Sequence, residues 1–405
     1  MLLARRSVSL VVIALTLSLA YGVWYSYSVI LVALLQEFGW SRSVLAGAFS
    51  AFTLVHGAAN PLVGALCDRV RPLQLMAAGG ALLGVALYAD SYIATPVELY
   101  LGFGLFTALS VAAAGWIPAL VQVQRDFQDR LGLALGIVSS GVGVGMLLVV
   151  PLTQLLIDAY GWRTAFRVLA AICVLWIVPS SLMLLRLAPR RAPVARAASA
   201  SGAARDVTLG QAMRGAPFWL MLAAFFFGNL CSQTLHVHQV AYLVDRGVAA
   251  IVAASVVGVV GLASILGKTG GGWLSDRMER ERVYLAGIAV MLCAIAVLAA
   301  IGQSPALGAI YLYGALLGLG YSVTASLIPA MVSDRFSGPH FGAIVGMGLL
   351  GSAIGSAVGP WMAGFLFDRT GSYTIAFALA AGCGLAAGVA GWRARTLRMR
   401  ALHPS

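Results

Sequence analysis

Apolar runs long enough to cross a bilayer recur twelve times in this chain, at about 8–35, 42–67, 72–92, 97–122, 131–157, 162–187, 216–242, 250–274, 280–301, 305–332, 340–367 and 372–394. A helix needs about 20 apolar residues to cross a hydrocarbon layer about 30 Å thick. Inside that layer the backbone must satisfy its own hydrogen bonds, which a helix does within one segment. The expected fold class is therefore an all-α membrane protein of twelve transmembrane helices. Charged residues make up 10% of the chain, against about a quarter in soluble proteins, so little is left to interrupt the runs. The opening MLLARRSVSLVVIALTLSLA is signal-like, but its apolar run continues without a small-residue cleavage site and reads as the first span.

The arginines set an orientation. With both termini cytoplasmic, inside segments hold 20 arginines, Arg69, Arg71, Arg125, Arg190, Arg277 and Arg398 among them. Outside segments hold five, Arg42, Arg163, Arg167, Arg246 and Arg369. This is the inside-positive pattern, and it points to a multi-pass protein of the cell inner (plasma) membrane. The formal charge of +12 is then a topology signal and a contact with membrane lipid, with no call on nucleic acid. The five cysteines form no CxxC pair or His/Cys cluster and read as packing residues; no metal or cofactor is expected.

The spans divide around 188–215, an Ala/Arg/Pro-rich cytoplasmic linker too polar to form a core. Residues 1–187 form one expected six-helix bundle, and 216–405 the other with a short cytoplasmic tail. The two sides match at a nearly constant offset. Glu37 and Gly39 correspond to Asp245 and Gly247, and Gly64, Asp68 and Arg69 to Gly272, Asp276 and Arg277, each 208 residues on. Asp158 and Gly161 correspond to Asp368 and Gly371, at 210. Three loops sharing one spacing indicate two repeats in the same orientation.

Lys268 is the only lysine among the 26 Lys and Arg residues, and it lies inside the apolar run VVGVVGLASILGKTGGGWLSD. It precedes Asp276 by eight residues, roughly 12 Å along a helix rising about 1.5 Å per residue, close to mid-depth. Gly261, Ser264, Gly271 and Gly272 share its helical face. An intramembrane cation is costly and usually faces a bundle interior or a wet path; the plain alternative is a lysine snorkelling to the interface. Gly267, Lys268 and Thr269 mimic the end of a phosphate-binding loop, but five residues rather than four separate Gly261 from Gly267, and no strand precedes them. Nucleotide binding is rejected.

All fourteen acids fall in loops or at span ends, so none is placed to neutralise Lys268. A cation without a partner in a low-dielectric cavity favours an anionic ligand, which supplies the missing charge. The seventh span adds a polar stripe of Asn229, Ser232, His236 and Gln239 on one face. His236 is a candidate for holding a carboxylate or taking up a proton, or else a core histidine bonded to a neighbouring helix. His238 points about 200° away. His56, mid-span in the second helix, is a further proton-coupling candidate. Tyr25, Trp116 and Tyr321 are candidate ligand contacts on the first, fourth and tenth spans.

The loop GALCDRVRP and its counterpart GGWLSDRMER resemble the Gly-x-x-x-Asp-Arg motif of the major facilitator superfamily. Within it, EFGWSRS, RLGLALGIVSSGVGVG, HVHQVAYLVDRGV and GSAVGPWMAGFLFDRTGSY resemble the branch of monocarboxylate transporters and oxalate/formate exchangers. The resemblance implies the major facilitator fold and carboxylate transport by alternating access, with a cation at the Lys268 position. It also implies a central cavity bordered by the first, fourth, seventh and tenth spans. Asp68, Arg69, Asp276 and Arg277 are implied to latch the halves in the outward-open state. Two departures are visible. Ser264 stands where mammalian-type members carry an acid, and the eleventh span lacks the second cation of the oxalate exchangers.

The expected function is a secondary active transporter of small organic anions, monocarboxylates first, with protons as the candidate coupling ion. A drug or metabolite exporter and a dicarboxylate/monocarboxylate exchanger are the alternatives. With no GxSxG, HExxH or membrane carboxylate pair, no enzyme activity is expected.

Overall fold

The structure, a computed structural model, describes residues 2–127, 131–187, 208–302, 306–333, 336 and 341–402. Among them, twelve helices are long and apolar enough to cross a membrane. They are α1 (Leu2–Phe38), α2 (Arg42–Arg69), α3 (Pro72–Asp90), α4 (Pro96–Asp126), α5 (Leu131–Tyr160), α6 (Trp162–Leu187), α7 (Ala216–Asp245), α8 (Ala250–Ser275), α9 (Arg280–Ala300), α10 (Leu307–Ser333), α11 (Phe341–Thr370) and α12 (Thr374–Leu402). The expected linker, 188–215, lies outside the described residues as far as 207; its remaining part holds a short helix, Leu209–Met213.

α1, α5, α7 and α11 run past the expected ends at 35, 157, 242 and 367, to Phe38, Tyr160, Asp245 and Thr370. Each stops at a matched glycine of the repeat. Gly39, Gly161, Gly247 and Gly371 have φ of 63°, 79°, 81° and 67°, the left-handed conformation that ends helices and that side chains resist. Glu37, Asp158, Asp245 and Asp368, expected in loops or at span ends, sit in the final helical turns.

α1 packs along α5 and α3 along α6; α7 packs along α11 and α12, and α10 along α8 and α9. α2 meets α11, and α5 meets α8, joining the first six helices to the last six. Glycines make these crossings close. A Cβ on Gly141 or Gly145 of α5 would stand 2.2 Å from the carbonyl oxygens of Ala14 or Ser18 in α1. On Gly355 and Gly359 of α11 it would stand 2.2 and 2.5 Å from those of Phe226 and Leu230 in α7. Backbone contact of this kind is how small residues hold membrane helices together without a hydrophobic driving force.

α4 is not the single regular helix expected at 97–122. A Thr95–Glu98 capping box starts it, wide π turns run over Tyr100–Thr107, and the chain breaks at Gly115 (φ −93°, ψ −137°) before restarting at Trp116. The break re-aims everything after it.

Candidate functional site

A cavity of about 1520 Å³ opens at the end carrying Asp68, Gln124 and Arg125 and reaches inward between α1, α2, α4, α7, α10 and α11. Its walls include Tyr21, Trp24 and Tyr25 of α1, His56 and Asn60 of α2, Asn229, Ser232 and Gln233 of α7, Tyr321 of α10, and Ser352 and Ser356 of α11. Of the expected ligand contacts, Tyr25, Asn229 and Tyr321 line it, as does His56.

His56 sits in an aromatic box. Its ring is 4.8 Å from Trp24 and 6.2 Å from Phe52, and its Nε2 is buried without a hydrogen-bond partner. His236 does not line the cavity. It lies behind Tyr25 and Tyr321, with ring centroids 5.3 and 4.6 Å away. Its Nδ1 is 2.7 Å from the Ser232 carbonyl, so Nδ1 carries hydrogen and Nε2, also buried and without a partner, is left to accept. Trp116 also lies off the cavity. The restart after Gly115 turns it toward a smaller core cluster around Val12, Ile13 and Leu17.

Lys268 is half-buried and is not a cavity-lining residue. Its Nζ lies 3.5 Å from the carbonyl oxygen of Ser139, at the seam between α8 and α5. Just beyond, Gly143 and Gly261 bring the two backbones together: a Cβ on either would stand 2.5 or 2.4 Å from the other's carbonyl oxygen. Ser264, one turn from Lys268, is fully buried and donates to Gly261. Gly271 meets Val323 of α10, whereas nothing covers Gly272. Among the described residues no acid pairs with Lys268. One acid at a span end is buried. Asp90, the last residue of α3, is fully buried; it accepts from Thr107 at 2.9 Å, and its other oxygen has no partner.

The Asp68–Arg69 and Asp276–Arg277 motifs lie exposed at the open end. Among the described residues they form no ion pair; Arg277 instead stacks 3.8 Å over Trp273 of its own half. The opposite end is shut by residues absent from the expected site. Arg42 of α2, 6% exposed, donates from Nη2 to Asp245 Oδ1 at 2.8 Å and from Nη1 to the Tyr373 hydroxyl at 2.6 Å. Its guanidinium lies 3.8 Å over the Phe367 ring. The Asp368 carboxylate accepts from the backbone amides of Arg42 and Ser43. Tyr373 meets His238, which also reaches the Pro360 carbonyl. The sequence signals were EFGWSRS and the repeated acids Asp245 and Asp368; what it withheld was that α2 begins where α7 and α11 end.

Twelve spanning helices, a cavity open at one end between two groups of six, and a charged seal at the other define a membrane carrier. The Major Facilitator Superfamily profile matches residues 13–302 and 240–403, and the chain belongs to that family. It is 28% identical over 387 residues to Monocarboxylate transporter 11 of Mus musculus, covering 89% of this chain and 80% of that protein. To Monocarboxylate transporter 13 of Bos taurus it is 28% identical over 373 residues, covering 90% and 83%. Among solved structures, the nucleoside transporter NupG superposes with a TM-score of 0.77 at 11% identity, covering 95% of this chain and 99% of that one. A bacterial homologue of the human lysosomal transporter Spinster, inward-facing and unoccupied, superposes with a TM-score of 0.66 at 17% identity, covering 96% and 95%. These two likenesses show the fold alone.

Proposed function

We propose that this carrier moves small organic anions, monocarboxylates foremost, across the cell inner membrane by alternating access, with both termini cytoplasmic. The two bundles, 1–187 and 216–405, rock about the central cavity, and the cavity described above is the inward-open state. The observation that carries the reading is Lys268, a solitary ammonium inside α8 whose one hydrogen bond among the described residues is a 3.5 Å contact to a backbone carbonyl. That contact is long; when the α5–α8 seam opens to the cavity during the cycle it is exchanged for the carboxylate of the cargo, which brings the countercharge that no acid among the described residues supplies. Tyr25, Asn229 and Tyr321 shape the wall on which the rest of the cargo sits. Protons are the proposed coupling ion, and the monocarboxylate transporters among the relatives support the cargo class.

Uptake into proteoliposomes tests this. Lys268→Gln loses carboxylate uptake and Lys268→Arg keeps part of it; full uptake by the Gln variant removes the premise. A second reading, an exporter of amphipathic metabolites, draws on a cavity larger than the roughly 300–1,000 Å³ of ordinary ligand pockets. Flux of a lipophilic compound untouched by Lys268→Gln would favour it.

A further inference from the structure

At the closed end the hydrogen-bond roles can be assigned link by link. His238 of α7 is fully buried. Its Nε2 lies 2.8 Å from the Pro360 carbonyl oxygen of α11; a carbonyl only accepts, so Nε2 carries hydrogen. Its Nδ1 lies 2.9 Å from the Tyr373 hydroxyl. That oxygen already accepts from Arg42 Nη1 at 2.6 Å, which leaves its own hydrogen directed at Nδ1. Arg42 ends the line on Asp245. Every donor in the chain meets an acceptor, and this holds only while Nδ1 is free to accept, that is, while the imidazole is neutral.

We propose that His238 is a proton-binding site that governs the closed end: a proton taken up at Nδ1 breaks the Tyr373–His238 link and releases α2 from α7 and α11. The Nδ1–H and the tyrosine O–H cannot both point along the one line between them. An imidazolium there also stands a single hydroxyl away from the Arg42 guanidinium, in a core where like charges are poorly screened. The charged and titratable groups facing His238 are Arg42 from α2, Asp245 and Tyr242 from its own helix, Asp368 from α11, and Tyr373 from the α11–α12 connection. Neither acid is free to compensate. Asp245 is held by Arg42, and Asp368 by the amides at the start of α2. Linkage then requires the proton to favour the form in which this end is open. His236 and His56, the candidates suggested by sequence, have no bond to this network. The proposal rests on the alternating-access part of the proposed function and not on the nature of the cargo.

The test uses the substrate-free full chain in lipid nanodiscs. Spin labels at Val97→Cys and Ile375→Cys, exposed positions at the starts of α4 and α12, report the width of the closed end in a background lacking the five native cysteines. Between about pH 8 and about pH 5 the wide population grows as pH falls, with a slope no steeper than about tenfold per pH unit, the limit for one proton. In His238→Gln, whose amide donates to Pro360 and accepts from Tyr373 at any pH, the narrow population persists throughout. Tyr373→Phe removes the bridge and gives a wider population that no longer responds to pH. A parent protein without pH response overturns the proposal, as does either variant keeping the parent's response. Because no cargo is present, failed anion uptake leaves this result standing, and a missing pH response leaves the anion reading standing.

Discussion

Asp368, two residues before the end of α11, accepts the backbone amide of Arg42 at 2.9 Å and thereby caps a helix of the other bundle. It takes the Ser43 amide as well, at 2.8 Å. A helix start is usually capped by its own preceding residue, and Ser41 does this for the Val44 amide; the carboxylate across the interface takes the two amides before it, so separating the bundles removes that part of the cap. The matched end is built differently. α8 follows Ala249 with no side-chain cap, and Asp158 is held by Gln154 within α5.

Asp368→Ala should therefore shift the conformational balance away from the form closed at this end by about 1 kcal/mol, roughly fivefold in population. Asp368→Asn, still able to cap, should shift it less. Inter-bundle distances at the closed end measure both.

The four positive-φ glycines allow a stability experiment free of packing effects at Gly39, Gly161, Gly247 and Gly371, where nothing lies within 4 Å of an added Cβ. Each Gly→Ala change should cost about 1–2 kcal/mol from the left-handed backbone alone, and Gly→Asn less. Thermal denaturation in detergent reads the difference, and similar losses at all four would reflect their shared conformation.

Gly143→Ala sets a Cβ 2.5 Å from the Gly261 carbonyl oxygen, closer than real contacts allow. The backbones have to part, at about 1–3 kcal/mol, so α5 and α8 should separate and the Lys268–Ser139 contact be lost. Crosslinking between cysteines introduced along the two helices should fall, while the α2–α11 crossing is unaffected.

Outside the membrane, Arg395 and then Arg282 hold the Glu279 carboxyl below its ordinary value of 4.5. A depressed carboxyl stabilises the fold above its unfolded value, and that stabilisation is lost as pH falls through the lower, folded value. Acid titration of thermal stability should show a loss below about pH 4.5, smaller in Glu279→Gln.

Much of the architecture is legible in the residues because it is local or periodic. The spans follow from uninterrupted apolar runs, and Gly39, Gly161, Gly247 and Gly371 stand out as matched positions of the repeat, although that they end the helices shows only in their left-handed backbone. Lys268 stands out because a charge inside such a run is costly. Arg42 does not, since at the start of a span it reads as one more outside arginine, and only the fold brings Asp245, Asp368 and Tyr373 to it. Trp116 was legible as a polar-edged aromatic in the fourth span, but its direction depends on the break at Gly115, which an apolar run does not reveal. His238 seemed the lesser histidine because it points away from the polar stripe, and the helix it points toward was not evident from α7 alone.

The central claim is that Lys268 receives a carboxylate, and the most direct measurement is calorimetric binding of a short monocarboxylate and of its neutral amide to the purified protein. The carboxylate should bind and the amide should not, with affinity lost in Lys268→Gln and partly recovered in Lys268→Arg. Equal binding of acid and amide, or undiminished carboxylate binding by Lys268→Gln, would contradict it.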